Sequence, residues 1–252
     1  MSAITIKSLY EKLYEECSVA DFFSKSAHFV SMQGEYYGNS DKKFMLIGRA
    51  TNGWEPLNMQ SKELFGDEAE AQFFDCSRWN WIESINGTLY STHDREQTNL
   101  SKRYCIDKKP YWAYTKEIWS QIDGSFVNDD IWQKNIVWSN LYKVAPAAQD
   151  NPDWIARKTQ YNTCLQILKK ELEYYKPTHI LIITGYDWFE SFSCLFENVI
   201  DTGKRNVLRG ENKNEDYVEA TAEYKGAKVV VACRPEWRER EKYVSQIVEA
   251  FK

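Results

Sequence analysis

The length, composition and charge of the chain exclude several classes of protein. Its 252 residues, of which 43% are hydrophobic and 27% charged, are enough to bury a sizeable core in one large domain or two small ones. A formal net charge of -5 argues against strong sequence-independent binding to nucleic acid, which requires many Lys and Arg side chains to neutralise phosphates. The net charge does not exclude a local basic patch on the surface.

The cysteines and the amino terminus favour a cytoplasmic protein. None of the six cysteines forms a Cys-x-x-Cys pair, so the sequence predicts neither a metal site nor a disulfide framework. Residues 1–17 carry charges throughout, and the longest apolar runs elsewhere have the length of a strand. We therefore expect no secretory signal and no membrane span. The chain also lacks a serine elbow, a Walker loop and a full Gly-x-Gly-x-x-Gly motif, and we expect no cofactor.

Apolar spacing in the first half of the chain predicts a helix, a strand and a long irregular segment. Leu9 and Leu13 lie four residues apart with tyrosines beside them, which indicates one face of a helix. Residues 43–48 (KFMLIG) are apolar and stop at a glycine, so they are predicted to form a strand buried on both faces. Residues 55–109 are polar and without repeats. We interpret them as an excursion from the sheet, partly helical around 67–74.

Three further apolar stretches predict strands. Residues 135–140 end in polar side chains, and residues 179–184 are stopped by a glycine. Residues 228–233 form the apolar second strand of a hairpin that turns at Lys225 and Gly226.

Helices are predicted between and after these strands. Pro110 suits the first turn of a helix that ends at the Asp-Gly pair 123–124. The clearest helical stripe of apolar side chains runs over 161–175. A short helix is predicted over 187–196, and the last helix is predicted to begin at Pro235.

The order of these elements predicts a single α/β domain over residues 1–252. Strands that alternate with helices favour a mainly parallel sheet, because parallel neighbours need crossover connections. Such a sheet is covered on both faces, which gives a three-layer αβα sandwich. No segment rich in Pro, Gly or Ser marks a linker, so we expect no division into two domains.

The carboxyl ends of the predicted strands supply the candidate site, since ligands of open α/β sheets lie beyond those ends. The loop after the first strand combines glycines that permit close backbone approach with hydrogen-bond donors and a flat aromatic ring. The other strands end in amide, cationic and aromatic side chains. The candidate residues are Gly48, Arg49, Ala50, Asn52, Gly53, Trp54, Asn140, Lys143, Gly185, Arg234, Trp237 and Arg238.

Five short segments, in this order, resemble the uracil-DNA glycosylase superfamily. They are 46-LIGRATNG-53, 110-PYWAYTKEIW-119, 138-WSNLYKVAP-146, 182-IITG-185 and 231-VACRPEWR-238. In that family the corresponding pieces are a Gly-x-x-Pro-Gly-like loop, an aromatic-led helix, a strand ending in Asn, a Leu-Gly strand and a His-Pro-Ser loop. The resemblance covers roughly residues 43–245. It implies the glycosylase fold and metal-independent hydrolysis of the N-glycosidic bond of a damaged or deaminated base, as in DNA repair.

Two positions depart from the family pattern. The residue that often activates water in the first loop is Ala50 here, as in some relatives, and the histidine that supports the departing base is Arg234. A permanently charged arginine cannot donate and recover a proton at neutral pH. The resemblance then implies that Asn52 holds the water and that Arg234 stabilises the leaving base. Trp54 and Asn140 would stack on the flipped base and read its edge.

The candidate residues also have structural interpretations, and three functions stay open. Trp54 is equally suited to capping the core, Asn140 to satisfying backbone groups at a strand end, and Arg234 to pairing with a carboxylate such as Glu236. A DNA glycosylase is the first expectation. The second, favoured by both departures, is a non-catalytic module that binds a nucleobase, nucleotide or single strand on the same fold. The third is an unrelated small-molecule enzyme, because a fold does not fix the chemistry.

Overall fold

The structure, a computed structural model, describes residues 5–18, 26–50, 109–124, 129–146, 151–205 and 215–252. Within these ranges the chain alternates helices and strands. The helices are α1 (Ile6–Ser18), α2 (Pro110–Asp123), α3 (Trp154–Tyr175), α4 (Tyr186–Phe189) and α5 (Arg240–Ala250). The strands are β1 (Ser26–His28), β2 (Met32–Gln33), β3 (Phe44–Gly48), β4 (Ile136–Asn140), β5 (Val144–Pro146), β6 (His179–Ile183), β7 (Glu197–Asp201), β8 (Val218–Tyr224) and β9 (Ala227–Ala232).

Seven strands form one mixed sheet in the order β2-β4-β3-β6-β9-β8-β7. The four central strands β4, β3, β6 and β9 are parallel neighbours, so the predicted parallel core of the sheet is confirmed. β2 on one edge and the β8 and β7 strands on the other are antiparallel. The strand order reverses between β3 and β6, and this switch point is where open α/β sheets bind their ligands.

Helices cover both faces of the sheet, which confirms the three-layer arrangement. Successive side chains of a strand point to opposite faces. Met45 and Ile47 accordingly join a core cluster with α1 and α3, whereas Phe44 and Leu46 join a second cluster with α2 and α5. Both clusters are built from fully buried side chains of the parallel strands, which explains why these strands are apolar without alternation.

Local sequence signals set the ends of the two longest crossover helices. α2 begins at Pro110 and ends at Gly124, whose left-handed φ of 68° lets its N–H donate to the carbonyl of Ser120. α3 begins after Asp153, whose carboxylate accepts a hydrogen bond of 2.8 Å from the backbone N–H of Ala156. These ends agree with the Pro110 start and the Asp-Gly stop predicted from the sequence.

Several predicted boundaries are wrong. The last helix begins at Arg240 and not at Pro235, because Trp237 has a φ of +67° that no right-handed helix accommodates. The segment predicted as one helix over 187–196 is a single α-turn, α4, followed by a 3-10 helix over Glu190–Leu195. The sequence prediction also missed β1, β2, β5 and β7, which are short or, in β7, largely exposed.

The predicted excursion over 55–109 lies outside the described residues except at Lys109. Among the described helices, none has both the length and the apolar character needed to cross a membrane.

Candidate functional site

The carboxyl ends of the four parallel strands lie side by side at one end of the sheet, with the switch point between β3 and β6 at their centre. Gly48 at the end of β3 is paired in register with Asn140 at the end of β4. Directly after β3, the Nε of Arg49 donates a hydrogen bond of 2.7 Å to the carbonyl of Thr184, which follows β6. We call the residues at these ends the strand-end group. It comprises Gly48, Arg49, Ala50, Asn140, Gly185 and Arg234.

Gly48 leaves room for the side chain of Asn140. A Cβ at position 48 would lie 2.4 Å from Oδ1 of Asn140 and 2.8 Å from the hydroxyl oxygen of Tyr111, distances that real Cβ atoms do not reach. The Asn140 amide therefore lies over the end of β3. It is 1% exposed, and its Nδ2 has no hydrogen-bond partner among the described residues. An unsatisfied buried donor costs roughly 1–3 kcal/mol, and the position of this amide at a strand end makes it a candidate group for contacting a ligand.

Lys143 lies inside the core, away from any ligand surface. Its ammonium group donates three hydrogen bonds: 2.8 Å to Ser139 Oγ, 2.7 Å to the Asn140 carbonyl and 2.9 Å to Glu171 Oε2. The Lys143 and Glu171 side chains are both 0% exposed, and we call them the core ion pair. Because every ammonium hydrogen is used, the geometry gives Lys143 a structural role in place of the predicted substrate contact. One of its bonds fixes the backbone of Asn140.

Arg49 is a partly buried cation without an ion-pair partner among the described residues. Burial, together with the nearby positive charge of Arg234, lowers the pKa of Arg49 to about 10. The guanidinium carbon lies 5.0 Å from the ring centroid of Trp188, within the range of a cation–π interaction. Arg49 thus keeps its charge at neutral pH in a site that disfavours it.

Arg234 pairs with a carboxylate, which is the structural role that the sequence also allows for it. It pairs with Glu236 through two nitrogens: Nε lies 3.0 Å from Oε2, and Nη2 donates to Oε1. The two side chains are 28% and 30% exposed, so the pair is only partly shielded from water. Arg234 therefore shares its charge with Glu236, which weakens it as a cation for a leaving base. The neighbouring Cys233 is no nucleophile, because burial raises the pKa of its thiol to about 12.

Trp237 and Arg238 lie in the loop that follows Arg234. Trp237 is 94% exposed and has a φ of +67°, a region that L-residues with large side chains rarely occupy. Arg238 accepts a 2.9 Å hydrogen bond on its carbonyl from the Tyr114 hydroxyl. Its Nε and Nη2 are buried without a hydrogen-bond partner among the described residues. This loop therefore combines an exposed aromatic ring with a guanidinium of which two nitrogens lack a hydrogen-bond partner among the described residues.

Gly185 and Ala50 are the two remaining members of the strand-end group. Gly185 has a φ of 77° and a ψ of 156°, a combination that is essentially restricted to glycine. A Cβ there would lie 3.4 Å from Glu219 Oε2 and 3.6 Å from Arg49 Nη2. Ala50 packs against the core as a partly buried side chain. The remaining predicted site residues, Asn52, Gly53 and Trp54, lie outside the described residues.

The sequence reasoning missed two buried or stacked residues at this edge. Glu219 is 3% exposed and accepts a 2.6 Å hydrogen bond from the backbone N–H of Tyr186. No sequence signal marked it, because β8 contains a second acid, Glu223, which is exposed. Arg157, on α3, stacks on Trp188, but no sequence pattern links these residues because 31 positions separate them.

Other features of the described residues do not add a second centre. No group of three or more His, Cys, Asp or Glu is placed to hold a metal within the described ranges. A cavity of about 640 Å³ is lined in part by Gln121, Lys204, Asp216 and Gln246, and it shares no residue with the strand-end group. Neither the protein-family models nor the curated proteins compared with this chain give a match.

Proposed function

We propose that this protein is a divergent uracil-DNA glycosylase-like enzyme that takes a damaged or deaminated base into the strand-end group. The observation that carries the proposal is Asn140 at the carboxyl end of β4, a buried amide whose Nδ2 has no hydrogen-bond partner among the described residues. An asparagine amide offers donors and an acceptor together, which matches the edge of a nucleobase turned out of its stack. Gly48 supports this role because it lets the amide lie over the strand end.

Arg49 suits cleavage of an N-glycosidic bond better than Arg234, whose charge is partly neutralised by Glu236. As the bond breaks, positive charge develops on the sugar and negative charge on the departing base, so fixed positive groups near the base stabilise the transition state. Arg49 and Arg234 are close enough that Arg234 lowers the pKa of Arg49. Water positioning by Asn52 stays a prediction. With Ala50 in place of an acid, hydrolysis would be slow and nearly independent of pH around neutrality.

A non-catalytic binding module is the second candidate. The observation that favours it is the two-point pairing of Arg234 with Glu236, which satisfies the residue that would replace the family's histidine. A module of this kind would use Asn140 to recognise a nucleobase without releasing it.

Base release from defined oligonucleotides separates these functions. Purified protein is incubated with duplex and single-stranded oligonucleotides that contain uracil, hypoxanthine or a mismatch, and abasic sites are then cleaved with alkali. We expect product from the wild type and a loss of about a hundredfold in Asn140→Ala, the scale of one aimed donor. Asn162→Ala, on the exposed side of α3, is the matched control and should leave the rate unchanged.

Two other results would change the conclusion. Tight binding without any base release, weakened in Asn140→Ala, would establish the binding module. Neither binding nor release with any of these oligonucleotides would overturn both candidates.

A further inference from the structure

We propose that Arg49, Trp188 and Arg157 form a phosphate-binding subsite beside the strand-end group. We call these three residues the arginine–tryptophan cluster. Its ligand would be the phosphodiester backbone of the strand whose base enters the strand-end group, so the proposal rests on the proposed function. It adds Arg157 and Trp188 to the residues that contact nucleic acid.

Both guanidinium groups stack on one aromatic ring. The Cζ of Arg49 lies 5.0 Å and the Cζ of Arg157 lies 4.7 Å from the centroid of Trp188. The ring is itself held by an edge contact with Tyr142, with 5.7 Å between the centroids. Stacking orients a planar guanidinium without using its N–H donors. Apart from the Nε of Arg49, which donates to the Thr184 carbonyl, the guanidinium donors of both arginines have no partner among the described residues and stay available for an anion.

No carboxylate among the described residues lies within ion-pair distance of either arginine. Three acids act on Arg49 from further away, and each has a closer partner. Glu236 pairs with Arg234, Asp187 lies 3.6 Å from Arg205 and Glu219 accepts from the Tyr186 N–H.

The positive charge of Arg157 also has no carboxylate partner among the described residues, and one of its donors is unsatisfied as well. Its Nε is buried and has no hydrogen-bond partner among the described residues, although buried polar groups are normally satisfied. Two partly buried, unneutralised cations on one ring are expensive for the folded protein. An incoming anion would satisfy both their charge and their hydrogen-bonding capacity.

The surroundings favour a nucleic acid strand over a small anion. A guanidinium donates two parallel N–H groups, a geometry that matches phosphate oxygens. Trp154 lies three residues before Arg157 at the start of α3 and is 64% exposed. An exposed aromatic ring beside a cation is the arrangement on which successive bases of a single strand stack. Because the overall charge is -5, such binding would depend on a local group of cations such as this one.

Salt-dependent binding of a fluorescein-labelled oligothymidine tests the subsite by fluorescence anisotropy. The variant is Arg157→Gln, and Lys158→Gln, the exposed neighbouring cation on α3, is the matched control for charge. We expect Arg157→Gln to weaken binding roughly tenfold and to reduce the slope of log K against log salt by about 0.7, the contribution of one phosphate contact to a single strand. Compared with Arg157→Gln, Arg157→Lys should restore part of the slope but not the full affinity. A lysine ammonium does not stack on an aromatic ring as a guanidinium does, and it does not donate two parallel N–H groups to a phosphate. Lys158→Gln should match the wild type.

The design keeps failure of the subsite apart from failure of the proposed function. An oligonucleotide made of abasic sites is measured alongside, together with the Asn140→Ala variant. Binding that depends on Arg157 but is the same with and without bases, and unaffected in Asn140→Ala, supports the subsite and contradicts base recognition. Binding that depends on Asn140 but not on Arg157 overturns the subsite alone. Wild-type protein that binds neither oligonucleotide also overturns it, and unchanged thermal unfolding of Arg157→Gln shows that any loss is local.

Discussion

The core ion pair and the arginine–tryptophan cluster lie near the same sheet edge but treat charge in opposite ways. Lys143 and Arg49 follow the ends of adjacent strands, and the backbone N–H of Tyr142 donates to the Arg49 carbonyl at 2.9 Å. The ammonium of Lys143 has an acceptor for each hydrogen and an anionic partner at 2.9 Å. Arg49 has a carbonyl and an aromatic ring but no carboxylate within ion-pair distance among the described residues.

The difference separates charge that maintains the structure from charge that is available to a ligand. A buried ion pair in good geometry roughly repays its own desolvation, and its loss is severe because one unpaired charge remains. An unpaired guanidinium lowers stability until an anion binds. Residues of the second kind are therefore expected to give variants that fold well and bind poorly, which is the usual conflict between stability and function.

The largest effect is expected from breaking the core ion pair. Lys143→Met leaves the Glu171 carboxylate buried without its cation, so the free energy of unfolding should fall by about 3–5 kcal/mol. Urea unfolding followed by tryptophan fluorescence measures the change. The double variant Lys143→Met with Glu171→Leu, which removes both charges, should recover most of the loss. Equal stability of the single variant and the wild type would show that the pair is not closed as described.

A smaller loss is expected from Gly48→Ala. The added Cβ would overlap Oδ1 of Asn140 and the Tyr111 hydroxyl, so the Asn140 amide must move away from the strand end. We expect a loss of about 1–3 kcal/mol in unfolding free energy, as for other overpacked sites. Base recognition should be weakened as well. Gly124→Ala adds a Cβ with nothing within 4 Å but costs some stability because its φ is +68°, so it is the control for binding alone; a loss of binding there as large as that of Gly48→Ala would contradict the prediction.

The sequence predicts the strands of the sheet and their ends better than it predicts where individual side chains point. The four parallel strands are recognisable because burial on both faces makes them continuously apolar, and glycine or polar residues end them. The convergence of Gly48, Arg49, Asn140 and Gly185 then follows from the rule for open sheets. The burial of Lys143 did not follow, because the pairing partner Glu171 lies 28 residues away on α3.

The loop after β9 shows a different limit. A proline followed by acidic residues is typical of a helix start, but the left-handed Trp237 delays α5 to Arg240. A left-handed residue with a large side chain is rare, and no local propensity predicts it.

A slight gain in stability is expected from Arg49→Met. Methionine keeps the apolar stem and removes a cation whose pKa is lowered to about 10 by burial and by Arg234. The free energy of unfolding at pH 7 should be unchanged or higher by about 1 kcal/mol, because removal of the desolvated charge offsets the lost hydrogen bond from Nε to the Thr184 carbonyl. The gain should shrink as pH rises above about 10, because the wild-type arginine then loses its proton more readily in the folded state than in the unfolded state. A loss comparable with that of Lys143→Met would remove the distinction between the two groups.

The smallest effect is expected from Trp237, the most exposed aromatic residue of the site loop. Its side chain is 94% exposed and its φ is +67°, so it contributes little burial while an L-residue in this region is strained by about 1 kcal/mol. Trp237→Gly should therefore be about 0.5 kcal/mol more stable than the wild type, after the greater flexibility of glycine in the unfolded chain is counted. Trp237→Ala, which keeps the Cβ, should be neutral.

If the ring stacks on a base, both variants should weaken oligonucleotide binding equally, because stacking on one base contributes roughly 1–3 kcal/mol. Full binding by both variants would remove Trp237 from the site, whereas a stability loss in Trp237→Gly would show that the ring is held by contacts and not by strain alone.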